Sequence, residues 1–135
     1  MLRFLMGLFV ILHGLVHLWY FTLSRGLVEF KPEMGWTGRS WLFTNLLGDS
    51  TTRALASVLY TLATVGLVVS GAGIFLRADW WRTVLVGSAI FSSAIILLLW
   101  DGGMQWIVQK GLIGFLISVV ILIALLLLKQ PAVTF

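Results

Sequence analysis

The chain has 135 residues, of which 60% are hydrophobic and only 10% are charged. Since a water-soluble domain carries about 25% charged residues, this composition excludes an ordinary soluble globule and indicates one membrane domain, residues 1–135. The net charge of +4 comes from basic residues spread along the edges of apolar segments, whereas nucleic-acid binders cluster such residues on one face. The absence of cysteine excludes thiol–disulfide chemistry and thiolate metal sites.

Four charge-poor segments meet or approach the length of about 20 apolar residues that a helix needs to cross a bilayer. They cover residues 3–24, 53–77, 81–101 and 106–129. In lipid every backbone polar group must be satisfied internally, so each segment is predicted to be helical. The short second and third connections force antiparallel neighbours. The predicted fold is an all-α integral membrane protein, an antiparallel bundle of four transmembrane helices with one long first loop.

The first predicted helix carries two histidines, His13 and His17, one turn apart on one face. His13 falls near the middle of the span and His17 lies closer to the long loop. Ionisable residues at that depth usually face the bundle interior and often mark function. The pair is therefore either a functional site or a packed polar contact, in which each neutral ring bonds a hydroxyl of the next helix.

Three kinds of ligand suit this histidine pair. The spacing fits two ligands of one zinc or copper ion, although a metal site needs a third or fourth ligand and the chain has no further histidine. One ring could ligate a haem, either five-coordinately or with a partner from another subunit. Hydrogen bonding to a quinone or a lipid headgroup needs only donors in an apolar slot. The preferred order is quinone or lipid first, metal second and haem third.

The long first loop, residues 25–53, is the main extramembrane element of the predicted fold. Its segment Ser40–Leu47 has apolar residues at nearly helical spacing, with Ser40 as the predicted N-cap and Gly48 as the stop signal. A short helix lying in the membrane interface is predicted here. All seven tryptophans lie in loops or at predicted span ends, as in the aromatic belt of membrane proteins. Trp41 is a candidate for covering a cofactor or quinone.

Stripes of small and polar side chains follow the three later helices. The stripes comprise Ser57, Tyr60, Thr61, Thr64 and Gly71 in the second helix, Ser88, Ser92 and Ser93 in the third, and Gln105, Gln109, Gly114 and Ser118 in the fourth. Small residues allow helices to approach closely in membranes, and hydroxyls bond across helices or back to their own backbone. Ordinary helix packing is the first explanation for the Ser, Thr and Gly positions.

Antiparallel connectivity gathers most of the polar side chains on the membrane face that carries the long loop. This face collects His17, Tyr20, Arg53, Ser57, Tyr60, Asp101, Gln105 and Gln109. Any functional site is therefore predicted to lie under the loop. Asp101 has two interpretations: a solvated turn residue near the N-terminus of the fourth helix, where the helix dipole favours a carboxylate, or a proton acceptor that pairs with His17 or Arg53.

The opening segment RFLMGLF and the glycines of the second helix resemble the DoxX-like family of small four-helix membrane proteins. The resemblance is carried by Arg3–Phe9, Gly14, His17, Gly66, Gly71 and Arg77. It implies a bacterial or archaeal inner-membrane protein, some relatives being linked to redox complexes such as thiosulfate–quinone oxidoreduction. The long aromatic loop and the histidine pair depart from the family pattern, so no catalytic residue is carried over.

The leading functional hypothesis is an accessory subunit of a respiratory or redox membrane complex, which packs against partner helices and contributes to a quinone or cofactor pocket. An alternative is a stand-alone quinone- or lipid-binding enzyme, with a histidine as proton donor or acceptor and Tyr20, Tyr60 and Asp101 assisting. A third is a small-solute channel formed by a homo-oligomer. The expected location is the inner membrane, in contact with lipid and with both termini in the cytoplasm.

Overall fold

The computed structural model describes residues 1–25, 39–104 and 111–127, and every regular element in these ranges is helical. The helices are α1 (Leu2–Ser24), α2 (Phe43–Leu47), α3 (Asp49–Leu76), α4 (Trp81–Leu98) and α5 (Ile113–Leu122), followed by a π-helical turn (Ile123–Leu127). The predicted all-α class is confirmed. Residues 26–38 of the predicted loop, together with Gln105, Gln109 and both ends of the predicted fourth span, lie outside the described residues.

Three helices, α1, α3 and α4, are long and apolar enough to cross a membrane. The apolar helix Ile113–Leu126 is shorter, since the described part of the predicted fourth span is limited to residues 111–127. The three apolar helices confirm the first three predicted segments as helices, whereas the count of four spans stays a prediction.

Helix packing follows the order α1 with α3, α3 with α4, and α4 with α5. Glycines set the closest approach of α1 to α3. A Cβ atom added at Gly14 would lie 2.8 Å from Leu67 Cβ, and one added at Gly71 would lie 2.8 Å from the Gly7 carbonyl oxygen. Small residues at a membrane helix interface allow this backbone proximity. Since the start of α1 meets the end of α3, the two helices run in opposite directions.

The C-terminal end of α1 is capped by a side chain, and the C-terminal end of α3 is capped by backbone hydrogen bonds. The Arg53 guanidinium donates to the Leu23 carbonyl oxygen at 3.0 Å, so a cation meets the negative end of the α1 dipole. Helix α3 ends at Arg77, which adopts a left-handed conformation with φ of 60°. The Ala78 N–H then bonds back to the Gly73 carbonyl oxygen at 2.9 Å, as in a Schellman-type helix end.

The predicted short helix in the loop is confirmed, with a later start than expected. Helix α2 begins at Phe43, because the Ser40 hydroxyl accepts the N–H groups of Leu42 and Phe43 at 3.2 and 3.1 Å and holds the preceding turn. Gly48 ends the helix with φ of 84°. Helix α3 follows at once from Asp49, ahead of the predicted start at residue 53.

The segment before α2 docks on the C-terminal end of α4. The Trp41 backbone N–H donates to the Trp100 carbonyl oxygen at 2.7 Å, and the Trp41 indole N–H donates to the Leu97 carbonyl oxygen at 2.9 Å. The Ser40 hydroxyl donates to the Leu98 carbonyl oxygen. The last carbonyl groups of a helix lack partners within the helix, so these bonds fix the loop segment to α4.

Two clusters of buried apolar side chains form the core. The first contains Tyr20, Leu23, Ala56, Tyr60, Ala63, Ile95, Ile96 and Leu99; the second contains Val10, Leu67, Ile74, Trp81, Leu85 and Leu125. Along α1 the histidines fall between Val10 of the second cluster and Tyr20 of the first. Along α4, Ser92 falls between Leu85 and Ile95. A polar layer therefore separates the two apolar clusters.

Candidate functional site

The polar layer joins three helices through four buried side chains. His13 and His17 of α1 are 5% and 2% exposed, while Ser92 of α4 and Ser118 of α5 are fully buried. His13 Nε2 lies 3.0 Å from Ser118 Oγ, and His17 Nε2 lies 2.6 Å from Ser92 Oγ. The two hydroxyl oxygens are 3.2 Å apart, and His17 Nδ1 lies 3.0 Å from the His13 carbonyl oxygen. The bonds form a closed circuit.

Aromatic rings extend this layer towards the loop end of the bundle. The two imidazole rings meet edge to face, with centroids 5.3 Å apart. The Tyr20 and Tyr60 rings stack at 5.0 Å, and the Tyr60 ring lies 6.4 Å from that of His17. Both tyrosines are buried. Four of the six predicted ligand-binding residues, the two histidines and the two tyrosines, therefore lie together.

A cavity of about 310 Å³ lies against the histidines, between α1, α4 and α5. Its walls are mainly apolar, and His13, His17 and Tyr20 supply the polar atoms. The lining side chains of Phe9, Leu12, Val16 and Ile113 are about half exposed on the outer surface. The cavity therefore opens sideways from the bundle through an apolar mouth.

Metal binding by the histidine pair would require the circuit to break. Each Nε2 atom already bonds a serine hydroxyl, and His17 Nδ1 bonds a carbonyl oxygen. Within residues 1–25, 39–104 and 111–127 there is no group of three or more His, Cys, Asp or Glu side chains that could hold a metal ion. The quinone or lipid, metal and haem hypotheses all remain predictions.

The remaining two candidate residues, Trp41 and Asp101, lie apart from the histidines. They line a separate pocket of about 420 Å³ at the end of α4, together with Arg39. Asp101 Oδ1 accepts the Gly103 N–H at 2.9 Å, which matches the turn interpretation. The hydrogen bonds of His17 go to His13 and Ser92, so Asp101 is not a hydrogen-bond partner of His17.

Ser92 and Ser118 are the site residues that sequence reasoning missed. From the sequence both are assigned to packing stripes, although a hydroxyl on the next helix is the expected partner of each histidine if the pair is a packed polar contact. Their position in the middle of predicted spans could have identified them as partners of the histidines, because a serine deep in a membrane helix needs a hydrogen-bond partner. The structure shows that those hydroxyls and the histidines are partners of one another.

Comparisons of the chain with known protein families, with characterised proteins and with solved structures give no match. The resemblance to the DoxX-like family therefore stays a prediction.

Proposed function

We propose that this protein is a four-span membrane subunit that binds the head of a quinone-type or lipid-like amphiphile in the cavity beside His13. It is proposed to serve a respiratory or redox complex of the inner membrane, with both termini in the cytoplasm. The cavity carries the proposal: it is an apolar space of about 310 Å³ whose wall includes two buried imidazole rings.

The outer surface supports a lipid environment. Large apolar side chains on the outer faces of α1, α3 and α4 are about half exposed, including Leu5, Leu12, Val16, Val58, Leu62, Val65 and Ile90. A soluble monomer rarely exposes contiguous apolar patches of this extent. Lipid tails or partner helices would cover these faces. The apolar helix Ile113–Leu126 is proposed to form part of the fourth span.

The shape and chemistry of the cavity support ligand binding. Small-molecule sites are typically apolar pockets of about 300–1,000 Å³ with a few converging polar groups. Here the polar groups belong to His13, His17 and Tyr20. His13 lies near the middle of a predicted span, where ionisable residues usually mark function. The sideways mouth lined by Leu12 and Ile113 would let an amphiphile enter from the bilayer with its tail left in lipid.

A cavity-filling substitution tests the binding proposal. A Cβ atom at Gly114 would lie 3.6 Å from Ile96 Cδ1 and 3.9 Å from His13 Cε1, so the backbone tolerates a side chain there and Gly114→Leu would occupy the cavity. The affinity for a decyl quinone, tested in its oxidised and reduced forms by equilibrium dialysis of the detergent-solubilised protein, should fall about tenfold or more.

Gly87→Leu is the matched control, because no atom lies within 4 Å of a Cβ placed at Gly87 and that residue is exposed on α4. This variant should bind like the unmodified protein. Equal loss in both variants, or no saturable binding of either quinone form or of dioctanoylglycerol by the unmodified chain, would overturn the proposed ligand site.

The subunit part of the proposal has a separate test. Extraction of membranes from the native source in a mild detergent, followed by affinity purification of the tagged chain, should recover redox partner proteins in fixed ratio. Recovery of the chain alone, with its ligand affinity intact, would leave the binding site standing and contradict the subunit role.

A further inference from the structure

The direction of each hydrogen bond in the circuit can be worked out from chemistry alone. A carbonyl oxygen only accepts hydrogen bonds, so His17 Nδ1, 3.0 Å from the His13 carbonyl oxygen, carries a proton. A buried charge is costly unless it is paired, and neither ring forms an ion pair among the described residues. With neutral rings, His17 Nε2 must therefore accept its bond from Ser92.

The remaining bonds follow in sequence, because a serine hydroxyl has a single hydrogen to donate. Ser92 gives its hydrogen to His17 Nε2 and so accepts from Ser118 Oγ, 3.2 Å away. Ser118 has then used its hydrogen, and its oxygen accepts from His13 Nε2 at 3.0 Å. A neutral His13 protonated on Nε2 carries an unprotonated Nδ1.

The unprotonated nitrogen of His13 is available to a ligand. His13 Nδ1 forms no hydrogen bond with the part of the chain described, and it is not among the buried side-chain polar atoms that lack a partner there, which are the hydroxyls of Thr52 and Ser93. It is therefore accessible, and His13 lines the cavity. The cavity wall thus presents a hydrogen-bond acceptor on His13.

We infer that the cavity selects amphiphiles that carry a hydroxyl group over those that carry only carbonyl oxygens. The inference rests on the proposed ligand site. A hydroxyl donates to His13 Nδ1, whereas a carbonyl oxygen at the same place would set two lone pairs against each other. Of a quinone couple, the site therefore takes the hydroquinone form. A lipid with a free hydroxyl, such as a diacylglycerol, has the same recognisable chemistry.

Nitrogen NMR of the full-length protein, labelled with ¹⁵N-histidine, tests the protonation pattern without a ligand. The chain has two histidines, so His13→Phe assigns both sets of signals. We expect one ring protonated on Nε2, assigned to His13, and one protonated on Nδ1, assigned to His17. A proton on His13 Nδ1 would overturn the inference.

Affinity ratios test the selectivity itself. Decyl-hydroquinone, kept reduced under anaerobic conditions, should bind about tenfold or more tightly than the corresponding quinone. Ser118→Ala removes the acceptor of His13 Nε2 and frees the ring to place its proton on Nδ1. The ratio of the affinity for the hydroquinone to that for the quinone should then fall towards one. Ser93→Ala should leave this ratio unchanged.

The possible results distinguish the hydroxyl selectivity from the ligand site on which it rests. A second pair, dioctanoylglycerol and its acetylated derivative, identifies the source: preference within this pair alone indicates a lipid ligand, and preference within the quinone pair alone a quinol. Equal binding within each pair, blocked by Gly114→Leu, would overturn the selectivity and leave the ligand site intact, and so would a preference for the quinone and the acetylated lipid. Saturable binding of no member of either pair would overturn both.

Discussion

Two neighbouring serines on α4 differ in the hydrogen bonding of their buried hydroxyl groups. Ser92 is fully buried and bonds both His17 and Ser118. The Ser93 hydroxyl is also buried, but it has no hydrogen-bond partner among the described residues. Burying a hydroxyl is unfavourable unless it is paired. The same substitution at the two positions should therefore have different effects on stability.

Ser92→Ala should lower the free energy of unfolding by about 1–3 kcal/mol, because it leaves His17 Nε2 and the Ser118 hydroxyl without their partner. Ser93→Ala should leave that free energy unchanged or raise it by up to about 1 kcal/mol. The unfolding of each variant by sodium dodecyl sulfate in mixed micelles, monitored by circular dichroism, gives both free energies of unfolding. A Ser92→Ala protein as stable as Ser93→Ala would show that the circuit contributes nothing to folding.

At the residue scale, the sequence predicts the histidines better than their partners. Two histidines one turn apart in an apolar segment are conspicuous, because ionisable residues are rare at that depth. Ser92 and Ser118 are ordinary by comparison, since serine is common in membrane helices. Which serine faces His17 depends on the rotation and depth of α4, and the sequence of α4 does not determine these.

At the scale of the helices, the packing of α1 against α3 depends on glycine. A Cβ atom at Gly14 would lie 2.8 Å from Leu67 Cβ and 3.3 Å from the Thr64 carbonyl oxygen. Real Cβ atoms avoid contacts below about 3 Å, as overlap in a packed interior forces backbone shifts. At Gly87 of α4, by contrast, a Cβ atom would have no other atom within 4 Å.

Gly14→Ala should destabilise the protein by about 1–3 kcal/mol through overpacking against α3. Gly87→Ala should stabilise it by about 0.5–1 kcal/mol, since alanine loses less conformational entropy in a helix. Thermal unfolding in detergent, compared between the two variants, measures the difference. If Gly14→Ala unfolds at the same temperature as Gly87→Ala, the close approach of α1 and α3 is not a determinant of stability.

Element positions were predictable where long apolar segments define them. Helix α1 and helix α4 begin within one residue of the predicted starts at 3 and 81. Helix α3 reaches back to Asp49, because Gly48 turns the chain directly from α2 into α3. The docking of Trp41 on α4 could not be predicted, since it depends on carbonyl groups at a helix end that is distant in sequence.

The number of spans is the main prediction at the scale of the whole molecule. The chain contains no cysteine, so a single introduced cysteine is the only thiol that a maleimide can label. Ser50 and Asp79 are exposed just outside the apolar part of α3, at its two ends. In intact cells, a membrane-impermeant maleimide should label Ser50→Cys and leave Asp79→Cys unlabelled until the membrane is opened.

A cysteine appended after Phe135 distinguishes four spans from three. With four spans the appended cysteine lies on the same side as Asp79→Cys, and it is labelled only after the membrane is opened. With three spans it lies on the side of Ser50→Cys and is labelled in intact cells. Val69→Cys, on the exposed outer face of the apolar part of α3, is the control within the bilayer and should resist labelling in both conditions. Labelling of Val69→Cys in intact cells would contradict membrane insertion of α3 itself.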